Sequence, residues 1–151
     1  MANLPERSKI LAFYRRPLAR LEKAIFIPKI NPSWFQVLGI VFSLFFIKVA
    51  YSSPLNISIL FLILIFDFFD GASARSQGLV SKKGWMIDVV FDRISEVILA
   101  IPFIDFIYGK IFLLLAILNI FLSFYSLKSG KHRVIAVRLF LLMFLIFKNF
   151  L

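Results

Sequence analysis

The chain has 151 residues, 61% of them hydrophobic and twenty of them phenylalanine, with a mean hydropathy of +0.92; soluble domains run at about 45–50% apolar, so the composition leaves one integral membrane domain. Eighteen Lys and Arg against eight Asp and Glu give a net charge of +10, but the cations fall in blocks between apolar runs, and with no basic soluble module or aromatic-basic interleaving nucleic acid is not expected as a partner. The absence of cysteine excludes a disulfide framework, a thiolate metal site and a cysteine nucleophile.

Residues 1–30 read as a basic N-terminal segment, without a secretory leader because residues 1–9 are polar. From Pro17, suited to a first helical position, Leu18, Leu21 and Ile25 recur at helical spacing opposite Arg16, Arg20 and Lys23. That pattern predicts an amphipathic juxtamembrane helix lying on an anionic leaflet. Apolar runs follow at Ser33–Tyr51, Leu55–Ala74, Gly84–Tyr108, Ile111–Leu127 and Val134–Leu151. Each approaches the length that crosses about 30 Å of hydrocarbon, which predicts an all-α membrane domain of five spans over 31–151. Ser52–Asn56 and Tyr108–Lys110 read as tight turns, with Pro54 opening the second span and Pro102 kinking the third. The N-terminal segment, the loop with Arg75, Lys82 and Lys83, and the loop with Lys128, Lys131 and Arg133 alternate with turns poor in cations, so all three are expected in the cytoplasm.

The second and third spans carry the chemistry. Asp67, Asp70, Gly71 and Ala74 share one helical face at spacings of three, four and seven, and Gly84, Asp88, Asp92 and Glu96 share another at spacings of four. A short loop joins the two stripes into a hairpin, so the carboxylates can converge near the cytoplasmic leaflet. Each aspartate costs about 2.5–3.5 kcal/mol at the centre of a lipid-facing helix, and like charges gathered in a low dielectric require cations among them or neutralisation. Carboxylate oxygens, with no cysteine and only a solvated loop histidine, His132, elsewhere, select a hard ion: Mg²⁺ or Mn²⁺, expected as two ions. With Arg75 and Arg93 beside the acidic stripe to neutralise phosphate oxygens, the pattern fits metal-assisted phosphoryl transfer.

Asp67-x2-Asp70-Gly71-x2-Ala74-Arg75-x8-Gly84-x3-Asp88-x3-Asp92 resembles, at every named position, the signature of the CDP-alcohol phosphotransferase family, and Asn31–Gly39 is similar to the segment that opens the family's first membrane helix. The resemblance implies a polytopic enzyme, a homodimer, that moves a phosphatidyl-type group from a CDP-linked lipid to an alcohol and releases CMP. It implies that Asp67, Asp70 and Asp88 hold the metals, with Asp92 as a further ligand or the base, so that Asp92 and Asp88 are the catalytic pair. It also assigns Asp67, Asp70, Gly71, Ala74, Arg75 and Gly84 to the CDP. Family members commonly have six spans where five are read here, which leaves open a non-catalytic homologue that binds CDP-lipid without turnover. An ion carrier is a third reading, weakened because the outer halves of the spans are apolar apart from Asp105.

For the acceptor, Arg93 with Lys131, Arg133 and Arg138 at the start of the last span supplies more positive charge than one metal-bridged diphosphate needs. A second phosphate matches that surplus, so the expected acceptor is a phosphorylated polyol such as inositol phosphate. The run Asp88–Glu96 also resembles the Asp-Arg-x-Ser-acidic version found among inositol phosphate transferases more than the form of glycerol phosphate transferases, which stay as the alternative.

Overall fold

The computed structural model describes residues 6–7, 22, 24–25, 27, 29–129, 131–132 and 134–150. Most of the amphipathic segment expected from Pro17, and with it most of the 1–30 region, lies outside them, as do Arg133 and the side chain of Lys131. Among the described residues there are five α-helices: α1 (Ser33–Val49), α2 (Leu55–Ser76), α3 (Lys82–Ala100), α4 (Ile107–Ser129) and α5 (Val137–Phe150). One parallel pairing of two residues each, Glu6–Arg7 (β1) with Lys131–His132 (β2), accompanies them. The fold is therefore all-α in substance. Three helical stretches, Pro32–Val49, Leu55–Ser76 and Ile107–Ser126, are long and apolar enough by themselves to cross a bilayer. Of the other two, α3 carries the charged stripe and α5, at 14 residues, reaches about 21 Å.

Local chemistry sets where the helices start and stop. The Asn31 side chain accepts from Ser33 N at 3.1 Å, a local turn bond that leads the chain through Pro32 into α1. Pro54 precedes α2, as expected, and Asn56 Nδ2 ties the turn by donating to Ala50 O at 3.0 Å. The α2 C-terminus closes on Gly78, whose φ of 68° is the left-handed conformation glycine adopts without strain. Its amide donates to Arg75 O and that of Leu79 to Ala74 O, the paired bonds of a Schellman stop. Three residues on, Ser81 Oγ accepts from Gly84 N at 3.0 Å and starts α3. The hairpin that carries the aspartates is thus fixed at both sides of a five-residue link, 77–81.

The far end differs from the expectation. Pro102 does not kink a span running to Tyr108; α3 ends at Ala100, and Pro102 sits in a 3₁₀ turn at Ile101–Phe103. Proline has no N–H to continue the helical ladder. The Tyr108–Lys110 stretch is accordingly helical, inside α4, and Gly109 serves close packing instead of a turn: a Cβ there would overlap the Phe103 carbonyl.

Helix α1 packs on α2 and α3, α3 on α4, and α5 against both α2 and α4. Phe46, Leu60, Ile63, Leu99, Phe103, Leu141 and Leu145 form the buried centre. Outside, Phe121, Phe124 and Phe147 are 66%, 65% and 66% exposed, an apolar exterior that only hydrocarbon accommodates, and the chain is a membrane protein. At the end away from the aspartates, Tyr51, Phe103, Phe106, Tyr108 and Phe144 form an aromatic cluster, and Lys148 Nζ lies 5.7 Å from the centroids of both the Tyr51 and Tyr108 rings.

Candidate functional site

Helical periodicity brings the two acidic stripes together as the sequence predicts. One carboxylate oxygen from each of Asp67, Asp88 and Asp92 lies within 4.8 Å of the others. Asp70 sits deeper, 5% exposed, in hydrogen-bonding contact with Asp88, and accepts from Gln36 Nε2 at 3.1 Å. Asp67 keeps 41% of its side chain exposed, facing a cavity instead of a packed neighbour.

Two cavities meet at this cluster. The inner one is lined by Gln36, Asp67, Asp70, Asp88, Asp92 and Arg138 among others. The outer cleft, with about 890 Å³ of empty space partly open to solvent, is lined by Asp70, Gly71, Ala74, Arg75, Gly84 and Asp88, with Asn31, Ser81 and Trp85 beside them. Five of the six residues that the family resemblance assigns to the CDP therefore share one wall; Asp67 lines the inner cavity instead. Glycine at 71 has a local reason, since a Cβ there would stand 2.9 Å from Arg75 Nη1, so the bare backbone leaves room for the guanidinium. Arg75 in turn holds Glu22 by Nε at 3.2 Å and Nη2 at 2.5 Å.

The remaining cations are placed differently from one another. Arg138 reaches from α5 across the bundle to pair with Asp67 at 3.3 Å and with Asp92. It is 8% exposed, which makes it the internal counter-ion of the cluster. Arg93 turns back on its own helix to Glu96 at 2.9 Å and lines neither cavity. Glu96 also accepts from Asn119 Nδ2, at 3.1 and 3.3 Å. The same amide donates to Ile135 O at 2.8 Å, and its carbonyl oxygen accepts from Ile135 N at 2.7 Å. Asn119 thus clamps the segment that leads into α5, and so helps to seat Arg138 three residues later. Below the cluster the Ser43 and Ser95 hydroxyls meet at 2.7 Å.

Gln36, Asn119 and Ser43 were not among the expected site residues, though each is a polar residue in an apolar run, the signal by which an intramembrane function is suspected. A divalent cation fits the donor set: three convergent carboxylates offer hard oxygens only, and the single guanidinium between two of them compensates part of their charge.

A family model described as CDP-alcohol phosphatidyltransferase matches residues 29–146. Archaetidylinositol phosphate synthase of Pyrococcus horikoshii is 33% identical over 94 residues, which make up 59% of this chain and 48% of that protein, so the chain spans about half the length of this relative. No solved structure matches.

Proposed function

The chain belongs to the CDP-alcohol phosphatidyltransferase family, and from that premise we propose that it transfers a phosphatidyl-type group from a CDP-linked lipid to an alcohol, with release of CMP, at the cytoplasmic face of a membrane. The observation that carries the reading is the convergence of Asp70, Gly71, Ala74, Arg75, Gly84 and Asp88 on one cleft that shares Asp70, Asp88 and Gln36 with an acidic inner cavity. The outer cleft would take the cytidine nucleotide, and the wall it shares with the inner cavity is where the bond to the acceptor would be exchanged.

Asp67, Asp88 and Asp92, with Asp70 behind them, would hold Mg²⁺ or Mn²⁺, which supplies charge neutralisation at the diphosphate. The chain's own groups do the rest. Arg75 neutralises phosphate oxygens at the cleft, exchanging its contact with Glu22 for the ligand. The acceptor hydroxyl attacks the lipid-bearing phosphorus. Its O–P bond forms as the P–O bond to CMP breaks; CMP leaves with the electron pair, and the hydroxyl proton passes to a carboxylate of the Asp88–Asp92 pair. These groups are coupled, so the base is a property of the pair and not of one oxygen.

A phosphorylated polyol, inositol phosphate in particular, is the acceptor we favour. Arg138 is a buried cation beside the carboxylates, which would serve a second phosphate by exchanging its contact with Asp67 or Asp92 for the ligand, and the relative from Pyrococcus horikoshii is a synthase of archaetidylinositol phosphate. Purified protein given a CDP-linked lipid, Mg²⁺ and a panel of inositol phosphate, glycerol phosphate, inositol and serine should release CMP, most rapidly with inositol phosphate. CMP release with none of the four would refute the transferase reading, and preference for serine or free inositol would refute the acceptor assignment.

A further inference from the structure

Resting on the transferase reading, we infer that Gln36 is a positioning residue that accepts a hydrogen bond from a ligand hydroxyl at the junction of the two cavities. Gln36 projects from α1, lines both cavities, and donates Nε2 to Asp70 Oδ2 at 3.1 Å. Its other amide atom, Oε1, is buried and has no hydrogen-bond partner. The amide cannot be reversed without setting that oxygen against the Asp70 carboxylate, acceptor against acceptor, so the free atom is a carbonyl oxygen. A buried acceptor left without a donor is costly, and native structures seldom leave one.

The surroundings decide what the donor can be. Arg138 spends Nη1 on Asp67 and Nη2 on Asp92 while its Nε has no partner, Asp70 and Asp88 hydrogen-bond each other, and the Ser95 hydroxyl is engaged with Ser43, so none of these groups donates to Gln36. Diphosphate oxygens ionised near neutral pH carry no proton to give. The donors a cytidine nucleotide and an alcohol bring are their hydroxyls and the cytosine amine; the hydroxyl, from the ribose on one side or from the acceptor alcohol on the other, is the one assigned to Gln36 Oε1, and the deoxy analogues separate it from the amine. Gln36 acts in both directions: its N–H holds Asp70 in register with Asp88, and its carbonyl reads a ligand O–H.

The test uses the full chain in detergent with Mg²⁺, as parent and as Gln36→Met, which keeps length and flexibility but loses both polar atoms. Affinities for CMP, 2′-deoxy-CMP and 3′-deoxy-CMP are measured by calorimetry, and KM and kcat for inositol phosphate by CMP release. If the ribose is the partner, the parent binds CMP about five- to tenfold more tightly than one of its deoxy analogues, and Gln36→Met reduces that ratio below about twofold. If the acceptor is the partner, nucleotide ratios stay as in the parent and KM for inositol phosphate rises about five- to tenfold while kcat changes less. Unchanged ratios and KM, or a change confined to the Mg²⁺ requirement, overturn the inference. Should Gln36→Met aggregate, Gln36→Asn, one methylene shorter, is read by the same ratios. A parent that binds no cytidine nucleotide overturns the transferase reading and this inference together; normal parent binding with an indifferent variant overturns this inference alone.

Discussion

Replacing Arg138 with Met removes, among the described residues, the cation that touches both Asp67 and Asp92. Breaking one side of a buried ion pair costs about 3–5 kcal/mol, because the abandoned charge stays desolvated. Asp67 is 41% exposed and Asp92 25%, so water takes up part of the loss and about 3 kcal/mol is the better figure. With an unfolding entropy near 2.1 cal/mol/K per residue, that lowers the Tm of a chain of this size by about 10 °C. A divalent cation seated among the same carboxylates replaces the missing charge, so the loss should fall to about 3 °C or less in Mg²⁺. The emission of Trp34 and Trp85 during a thermal ramp in detergent, with EDTA or with Mg²⁺, gives the four Tm values needed. An equal loss in both buffers would mean that Arg138 contributes packing and no charge compensation. No loss in EDTA would refute the pairing.

Asp70→Asn and Asp88→Asn should each reduce CMP release at least about a hundredfold without preventing insertion, because the amide keeps the shape and loses the charge; retained turnover in either, or parent activity in excess EDTA, would remove the metal from the reaction. Gly109→Ala should destabilise by about 1–3 kcal/mol, since the new methyl meets the Phe103 carbonyl and rigid backbone cannot yield; a thermal ramp checks it, and an unchanged Tm would show that this contact is loose. A tag at Ser81 should be reachable from the cytoplasm and one at Ser53 only from the opposite side; reversed labelling would place the cleft away from the nucleotide pool.

Much of the bundle is legible because it depends on local rules. Apolar runs of span length mark α1, α2 and α4, and Pro54 marks where α2 begins. The 3- and 4-residue spacing of the aspartates puts Asp67, Asp88 and Asp92 within reach of one another, and the spaced glycines and Arg75 mark the outer cleft. What escaped depends on long-range packing. Tyr-Gly-Lys at 108–110 carries a turn signal, yet Gly109 is there because the Phe103 backbone crosses it. Gln36 stands 34 positions from Asp70 and Asn119 stands 23 from Glu96; no periodicity links residues on different helices. Arg138 reads in the sequence as one of the cations at the start of the last span that would meet an acceptor phosphate, and only the packing of α5 on α2 carries it to the carboxylates.

The Ser43–Ser95 contact has a consequence for the membrane as a capacitor. Ser43 Oγ is engaged twice, with Gly39 O and with Ser95 Oγ, each at 2.7 Å, so neither hydroxyl hangs free to pass a proton onward. Past it stand Phe46, Leu99 and Phe103, at 0%, 1% and 0% exposure. A bare ion entering that plug meets an idealised solvation penalty of about 20 kcal/mol. The acidic chamber is thus a blind well, wetted from one side and electrically insulated from the other. Vesicles carrying the protein should therefore keep an imposed pH gradient as long as empty ones do.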